Sequence, residues 1–235
     1  MHTASTAALA TLIRNEVVHL ESVSRFAPGR RFASLFSDSS PSDTLYFLDS
    51  GLVKLFKRGE DGKEIILRIV VPGELFGEQA LAGEEFRDVR GTSAEVMQEG
   101  VIHVIPRAVF GSWAESRPQV WRLLAEAQIA RQRDLEKKTE LLCLHDVEYR
   151  ILYYLGELAA AVGTKPDGAA DYSIPLSQSE LASLIGATRE TTSTTLNSLA
   201  RRGLVKLGRR MLIVSSLDHL RNATSQRSAR AATNA

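Results

Sequence analysis

Arg189 and Glu190 stand side by side near the start of the run GATRETTSTTLNSLARRG, and a guanidinium beside a carboxylate at a helix start has one distinctive use. Arginine donates two parallel hydrogen bonds to guanine O6 and N7, and a carboxylate accepts from cytosine N4. Such a pair reads bases only when the first turn of its helix enters a major groove, so the neighbouring elements decide the matter. Thr188, directly before the pair, is a residue type that caps helices. After it, Thr192, Thr195, Leu196 and Leu199 fall on one helical face. The opposite face carries Glu190, Ser193, Thr194, Asn197 and Arg201, with Arg189 flanking it.

The elements on either side fit that use. Ser177 followed three residues later by Glu180 predicts a capping box and a helix from about Gln178. That helix has an apolar face of Leu181, Leu184 and Ile185 and stops at Gly186, the residue type best able to take a left-handed turn. Beyond Gly203, the run LVKLGRRMLIV alternates around Gly208, Arg209 and Arg210, as a two-stranded wing with a phosphate-holding basic tip would. The segment from Ile174 to Val214 therefore predicts a winged helix-turn-helix with double-stranded DNA as its partner. Its candidate contacts are Ser177, Gln178, Ser179, Thr188, Arg189, Glu190, Thr191, Thr194, Asn197, Arg209 and Arg210. A plain helical hairpin of an enzyme or scaffold domain gives a similar short pattern.

Charge placement separates these readings. The chain has 29 basic and 28 acidic residues, but residues 171–235 hold 9 of the basic and only 4 of the acidic ones. Basic charge thus gathers where the reader lies, as a phosphate-binding module requires. The excess is modest, which suits a module that binds tightly only as two copies.

Ahead of the reader, residues 45 to 105 are rich in β-formers and turn glycines. Asp49-Ser50-Gly51, Asp61-Gly62 and Pro72-Gly73 punctuate short strands of an antiparallel barrel or sandwich, with Asp61-Gly62 a two-residue hairpin signal. Between Pro118 and Leu144 there is no further Gly or Pro, which predicts one helix of about 27 residues, roughly 40 Å long. Its leucines and alanines suit either a packed core element or a seam with a twin helix, and Leu124, Ala127, Leu135 and Leu142 are the candidate dimer contacts.

The order of β-rich domain, long helix and winged helix, with GELFGEQAL, the Arg90 that follows it, HDVEYRI and GATRETTSTTL, resembles the catabolite activator and fumarate-nitrate regulator superfamily of bacterial transcription factors over residues 24 to 217. The resemblance implies an α+β fold: an N-terminal cyclic-nucleotide-binding-type β-roll (a double-stranded jelly roll), a long central dimerisation helix and a C-terminal winged helix-turn-helix. Expected boundaries are 1–23 for an N-terminal helix, 24–116 for the β-roll sensor, 117–145 for the dimerisation helix, 146–217 for the DNA-binding domain and 218–235 for a disordered tail. It also implies a cytoplasmic homodimer on a two-fold symmetric operator, activating or repressing, with RNA polymerase as a partner. Family base and phosphate contacts map onto Arg189, Glu190 and Thr191, while Thr194 stands where the family usually has a second arginine. A β-roll nucleotide-binding adaptor whose helical domain binds protein is the alternative from another class.

The same resemblance maps a cyclic nucleotide's contacts onto Gly77, Glu78, Arg90, Gly91 and Thr92. A carboxylate can take the ribose 2′-hydroxyl, N–H groups at a helix start can cradle an anion, and a guanidinium can pair with the phosphate. Three features depart from the cyclic-AMP sensors. Gly91 replaces a small hydroxyl residue after the arginine, the segment AGEEFRDV is about two residues longer, and Leu135 and Glu136 stand where the long helix would offer hydroxyls to adenine. The competing reading makes Glu78 and Arg90 a structural ion pair in an effector-free roll.

Other chemistries find little support. The lone Cys143 excludes a four-thiolate iron-sulfur cluster and an intrachain disulfide, fits a reducing compartment, and among leucines reads as a buried, inert thiol. Five scattered histidines have no metal-ligand spacing, and neither a nucleophilic triad nor a phosphate loop with lysine is present, so no catalysis is expected. No run of 18 apolar residues predicts a membrane span, and the N-terminal stretch reads as a short amphipathic helix, not as a secretory signal.

Overall fold

The computed structural model describes residues 4–17, 22–25, 34–83, 89–163 and 171–233. The chain divides into two compact units, Met1–Leu135 and Glu136–Ala235.

The first unit is a two-sheet roll flanked by helices. Among the described residues it has eight strands: β1 (Ser22–Arg25), β2 (Ser34–Phe36), β3 (Thr44–Leu48), β4 (Leu52–Arg58), β5 (Glu64–Val70), β6 (Glu74–Phe76), β7 (Ser93–Gln98) and β8 (Val101–Pro106). They pair antiparallel in the orders β1-β8-β3-β6 and β2-β7-β4-β5. Alternation along β3 serves two cores. Leu48 faces the roll interior with Phe36, Val53, Val70, Phe76, Ala94, Val96 and Ile102, whereas Leu45 and Phe47 belong to a second cluster formed with the helices. That second cluster takes Leu9 and Ile13 from α1 (Ala4–Leu12) and the π-helical turn after it, Phe110 and Trp113 from α2 (Arg107–Glu115), and Val120, Leu123 and Leu124 from α3 (Pro118–Leu144).

The Asp61-Gly62 pair does not form the two-residue turn its sequence suggested. The Gly59 amide donates to the Lys63 carbonyl at 2.8 Å and the Gly62 amide to the Gly59 carbonyl at 2.9 Å. This closes a three-residue loop with Gly62 left-handed. The Asp61 carboxylate accepts from the Lys63 amide, which favours this longer turn.

The second unit follows the sequence closely through the reader. Asp146 caps α4 (Val147–Val162) by accepting from the Tyr149 amide. Ser177 and Glu180 form the reciprocal capping box of α5 (Gln178–Ile185), and Gly186 ends it with φ near 63°. Thr188 caps α6 (Arg189–Arg201) through the Thr191 amide at 3.1 Å. Strands β10 (Val205–Gly208) and β11 (Met211–Val214) form the wing around Arg209 and Arg210. Ser177→Ala removes one half of the capping box, so it is expected to cost about 1 kcal/mol, read as a lower denaturant midpoint.

Two elements run against the sequence reading. Tyr172–Ile174 forms β9, which pairs with β11 and makes the wing three-stranded, although the stretch reads as loop; residues 164–170 lie outside the described residues. The tail, expected to be disordered, carries α7 (Leu217–Thr233). Ser216 starts it, its hydroxyl accepting from the His219 amide, and Leu220 is 1 % exposed, close to Gly156 of α4. One anchored leucine in the first turn offsets the polar, small-residue composition that argued for disorder.

The long helix has the predicted bounds, but it does not stand as a segment of its own: the boundary between the two units falls within it, after Leu135. Its buried leucines serve the protomer. Leu124 is 8 % and Ala127 2 % exposed within the single chain, so neither is available as the expected dimer contact. Leu142 is half-buried against the turn at Gly186. Leu135, by contrast, is 57 % exposed. Cys143 is exposed too, against the expectation of a buried thiol, because it lies off the face that carries Leu141.

Candidate nucleic-acid interface and effector pocket

The helix-turn-helix presents a polar face because its apolar residues are spent inward. Thr192, Leu196 and Leu199 are fully buried, and the Thr192 hydroxyl donates to the Thr188 carbonyl at 2.8 Å. Its polarity is thereby satisfied inside the core. Arg189, Glu190, Thr191, Thr194, Asn197 and Arg201 are all exposed. The first turn of α6 thus carries a guanidinium, a carboxylate and a hydroxyl together, ahead of Thr194 and Asn197 on the next turns. Ser179 is exposed, Gln178 is half-buried, and the Ser177 hydroxyl is engaged with Glu180 at 2.5 Å. At the wing tip Arg209 and Arg210 are exposed, and Arg210 takes a left-handed φ of 58°. A non-glycine residue in that region bears local strain.

In the roll, Gly77 precedes a short 3-10 helix, Glu78–Leu81, with φ near 80°. A side chain here would strike Arg90: an added Cβ would lie 2.9 Å from Arg90 Nη1 and 3.1 Å from the Thr44 carbonyl. Arg90 is 3 % exposed. Its Nη2 donates to the Thr44 carbonyl at 2.9 Å, its plane lies over the rings of Phe36 and Tyr46, and among the described residues its buried Nε and Nη1 meet no partner. Burial lowers its pKa, opposed by Tyr46 and Asp43. Buried guanidinium nitrogens of this kind are suited to an anionic acceptor. Gly91, half-buried, holds its own turn with φ near 64° and donates its amide to the Asp38 carbonyl, and Thr92 is half-buried beside it. Residues 84–88, the core of the lengthened segment, lie outside the described residues.

The structural-pair reading of Glu78 and Arg90 is corrected. Glu78 forms its ion pair with Arg131 of α3, and Arg131 also donates to the Leu75 carbonyl. Burial, with Arg68 close by, brings Arg131 down to about 9. Arg68 itself donates to the Leu75 carbonyl at 3.4 Å. Neither arginine was singled out in the sequence. Arg131 opens the polar run Arg131–Asp134, where nothing sets it apart from its neighbours. Arg68 lies at a β-bulge, where Phe56 pairs with Ile66 and Leu55 with Arg68, and a bulge re-aims a side chain against the alternation one would read.

The fold defines a class: a two-sheet β-roll and a winged helix-turn-helix in one chain. Comparison with known proteins agrees. Residues 26–117 match the cyclic nucleotide-binding domain family and residues 149–223 the Crp-like helix-turn-helix domain family. The chain is 32% identical over 187 residues to a CRP-like cAMP-activated global transcriptional regulator of Mycobacterium tuberculosis, covering 80% of this chain and 82% of that one. It is 31% identical over 174 residues to the cyclic AMP receptor protein of Thermus thermophilus, covering 74% and 76%. The solved structure of another CRP-family transcriptional regulator of Thermus thermophilus superposes with a TM-score of 0.72 at 26% identity over 86% of this chain and 96% of that one. The chain belongs to the CRP/FNR family of DNA-binding transcription regulators. That membership sets aside the protein-binding adaptor. Among the described residues, no helix is long and apolar enough to cross a membrane.

Proposed function

We propose that the protein is a cytoplasmic homodimer that binds a two-fold symmetric operator through Arg189, Glu190 and Thr191, contacts RNA polymerase, and is tuned by a nucleotide in the β-roll. The exposed first turn of α6 supports the first element. Thr188, Arg209 and Arg210 hold phosphates, with Gln178, Ser179, Thr194 and Asn197 lining the rest of the groove; Ser177, whose N–H and O–H both go to Glu180, serves as the cap instead.

Of the candidate dimer contacts on α3, the proposed seam keeps Leu135 and leaves out Leu124, Ala127 and Leu142. Trp121, Ala125, Gln128, Gln132, Leu135 and Thr139 recur at alternating four- and three-residue steps, and all are exposed in the protomer. That is the spacing of a coiled-coil seam.

The single observation that carries the effector assignment is Arg90, buried beside the Cβ-free Gly77 with two guanidinium nitrogens unmatched among the described residues. The residues fit a phosphate: Arg90 would pair with it, and the backbone amides after Gly77 would face it. A cyclic nucleotide supplies that phosphate and a ribose hydroxyl. Glu78 reaches the hydroxyl only by sharing its carboxylate with Arg131, and Leu135 and Glu136 offer no hydroxyl to the base. Recognition of cyclic AMP is accordingly weak or altered. Calorimetry with cyclic AMP, cyclic GMP and cyclic di-GMP, with operator binding measured alongside each, tests this. Expected are a weak preference for cyclic AMP or a preference for another nucleotide, and loss of all binding in Arg90→Ala. Micromolar cyclic-AMP binding that raises operator affinity tenfold would overturn the altered-recognition reading. Nucleotide binding undiminished in Arg90→Ala would overturn the pocket.

A further inference from the structure

The C-terminal end of α5 leads directly into the recognition helix. Its last carbonyls, Leu184 and Ile185, are followed only by Gly186, Ala187 and Thr188 before Arg189 opens α6. Carbonyls in the last turn of a helix lack partners within it and are ordinarily left to water or to a local turn. Here cations from two other helices take them. Lys138 of α3 donates from Nζ to the Leu184 carbonyl at 2.9 Å. Arg150 of α4 donates from Nη1 to the Ile185 carbonyl at 2.7 Å and from Nε to the His145 carbonyl at 3.1 Å. Leu142, one turn after Lys138, presses its Cδ2 on the turn so closely that a Cβ at Gly186 would come within 2.8 Å. Three side chains thus hold a segment of three residues, Leu184 to Gly186.

We propose that Lys138 is a positioning residue for DNA recognition: it fixes the α5 end to α3, and through that end sets where the first turn of α6 presents Arg189 and Glu190. Positive charge at the negative end of α5 is favourable. A lysine is nonetheless an expensive choice there. Lys138 is 5 % exposed, its ammonium lies against the ring of Tyr154, and burial brings it down to about 8. Burying the charge works against folding at neutral pH, and an apolar side chain of similar length would fill the space without that burden. Stability therefore does not explain the residue. Location does: Leu184 stands five residues before Arg189, the base reader of the proposed function on which this inference rests, and a displacement there is carried directly into the reading turn. Arg150 repeats the contact one carbonyl further on and ties the same end to the α3–α4 junction.

The separating experiment uses the full-length protein, with Lys138→Met and Lys138→Arg beside wild type. Each is assayed by gel shift on the operator that wild type selects from random DNA, on an unrelated duplex, and by scanning calorimetry. Methionine fills the lysine's space but cannot donate; arginine keeps the donor and the charge. Expected for Lys138→Met is a melting temperature equal to or above wild type, operator affinity at least tenfold lower, and affinity for unrelated DNA within threefold. Lys138→Arg should recover operator affinity to within threefold. The dissociation between stability and specificity is the signature, because a merely structural lysine would move both together. Wild-type operator affinity in Lys138→Met overturns the proposal. So does a loss that comes with a lower melting temperature, a loss shared equally by unrelated DNA, or a Lys138→Arg variant as weak as Lys138→Met.

Discussion

Arg189→Ala is expected to weaken binding to the selected operator by about 1 to 3 kcal/mol per half-site and to flatten the preference at one base pair in each. The side chain is exposed and flanks the polar face of α6, with its backbone at the first helical position behind the Thr188 cap, so its removal leaves the fold of the reader alone. An effect on sequence ranking is what distinguishes a base reader from a phosphate anchor. Arg209→Ala, at the wing tip, should lower affinity for all sequences alike and reduce the salt dependence by about one counterion. Binding-site selection with each variant measures both. If the order of preferred operators is the same for Arg189→Ala as for wild type, Arg189 is not the reader.

The largest loss is expected from breaking the seam. Leu135→Glu places a charge on a residue that is 57 % exposed in the protomer, so the chain still folds, but between twin helices the charge would be buried without a partner. The dimer should split in sedimentation at micromolar concentration. Affinity for the full operator should fall by about 10² to 10⁴, the factor by which a linked second contact commonly strengthens binding. Leu124→Glu behaves differently. Leu124 packs with Phe110 and Trp113 in the protomer core, so this change should lower the melting temperature of the first unit, with dimer loss only as a consequence. Wild-type protein that sediments as a monomer and still binds a full site tightly would remove the seam altogether.

What the sequence determined by itself was local. The capping box of Ser177 and Glu180, the left-handed Gly186, the Thr188 cap and the bounds of α3 follow from chemistry within four residues of each position. Those interactions are formed by neighbours along the chain and need no other part of the molecule. Periodicity likewise placed Leu196 and Leu199 inside and Glu190 and Asn197 outside. What only the tertiary structure decided were the choices between partners distant in sequence. Glu78 could meet Arg90 or Arg131, and their charges alone do not choose; the packing of α3 brings Arg131 to it. A leucine stripe on a long helix can face its own core or a twin, and the roll and α2 already claim Leu124. The tail looked too polar to fold, yet α4 offers Leu220 a surface, and burial of one anchored side chain outweighs a propensity that is weak in either direction. Lys138 is the plainest case. In the sequence it is one more cation in a charged helix, and its use depends on a carbonyl 46 residues further on, which only the packing of α5 puts within its reach.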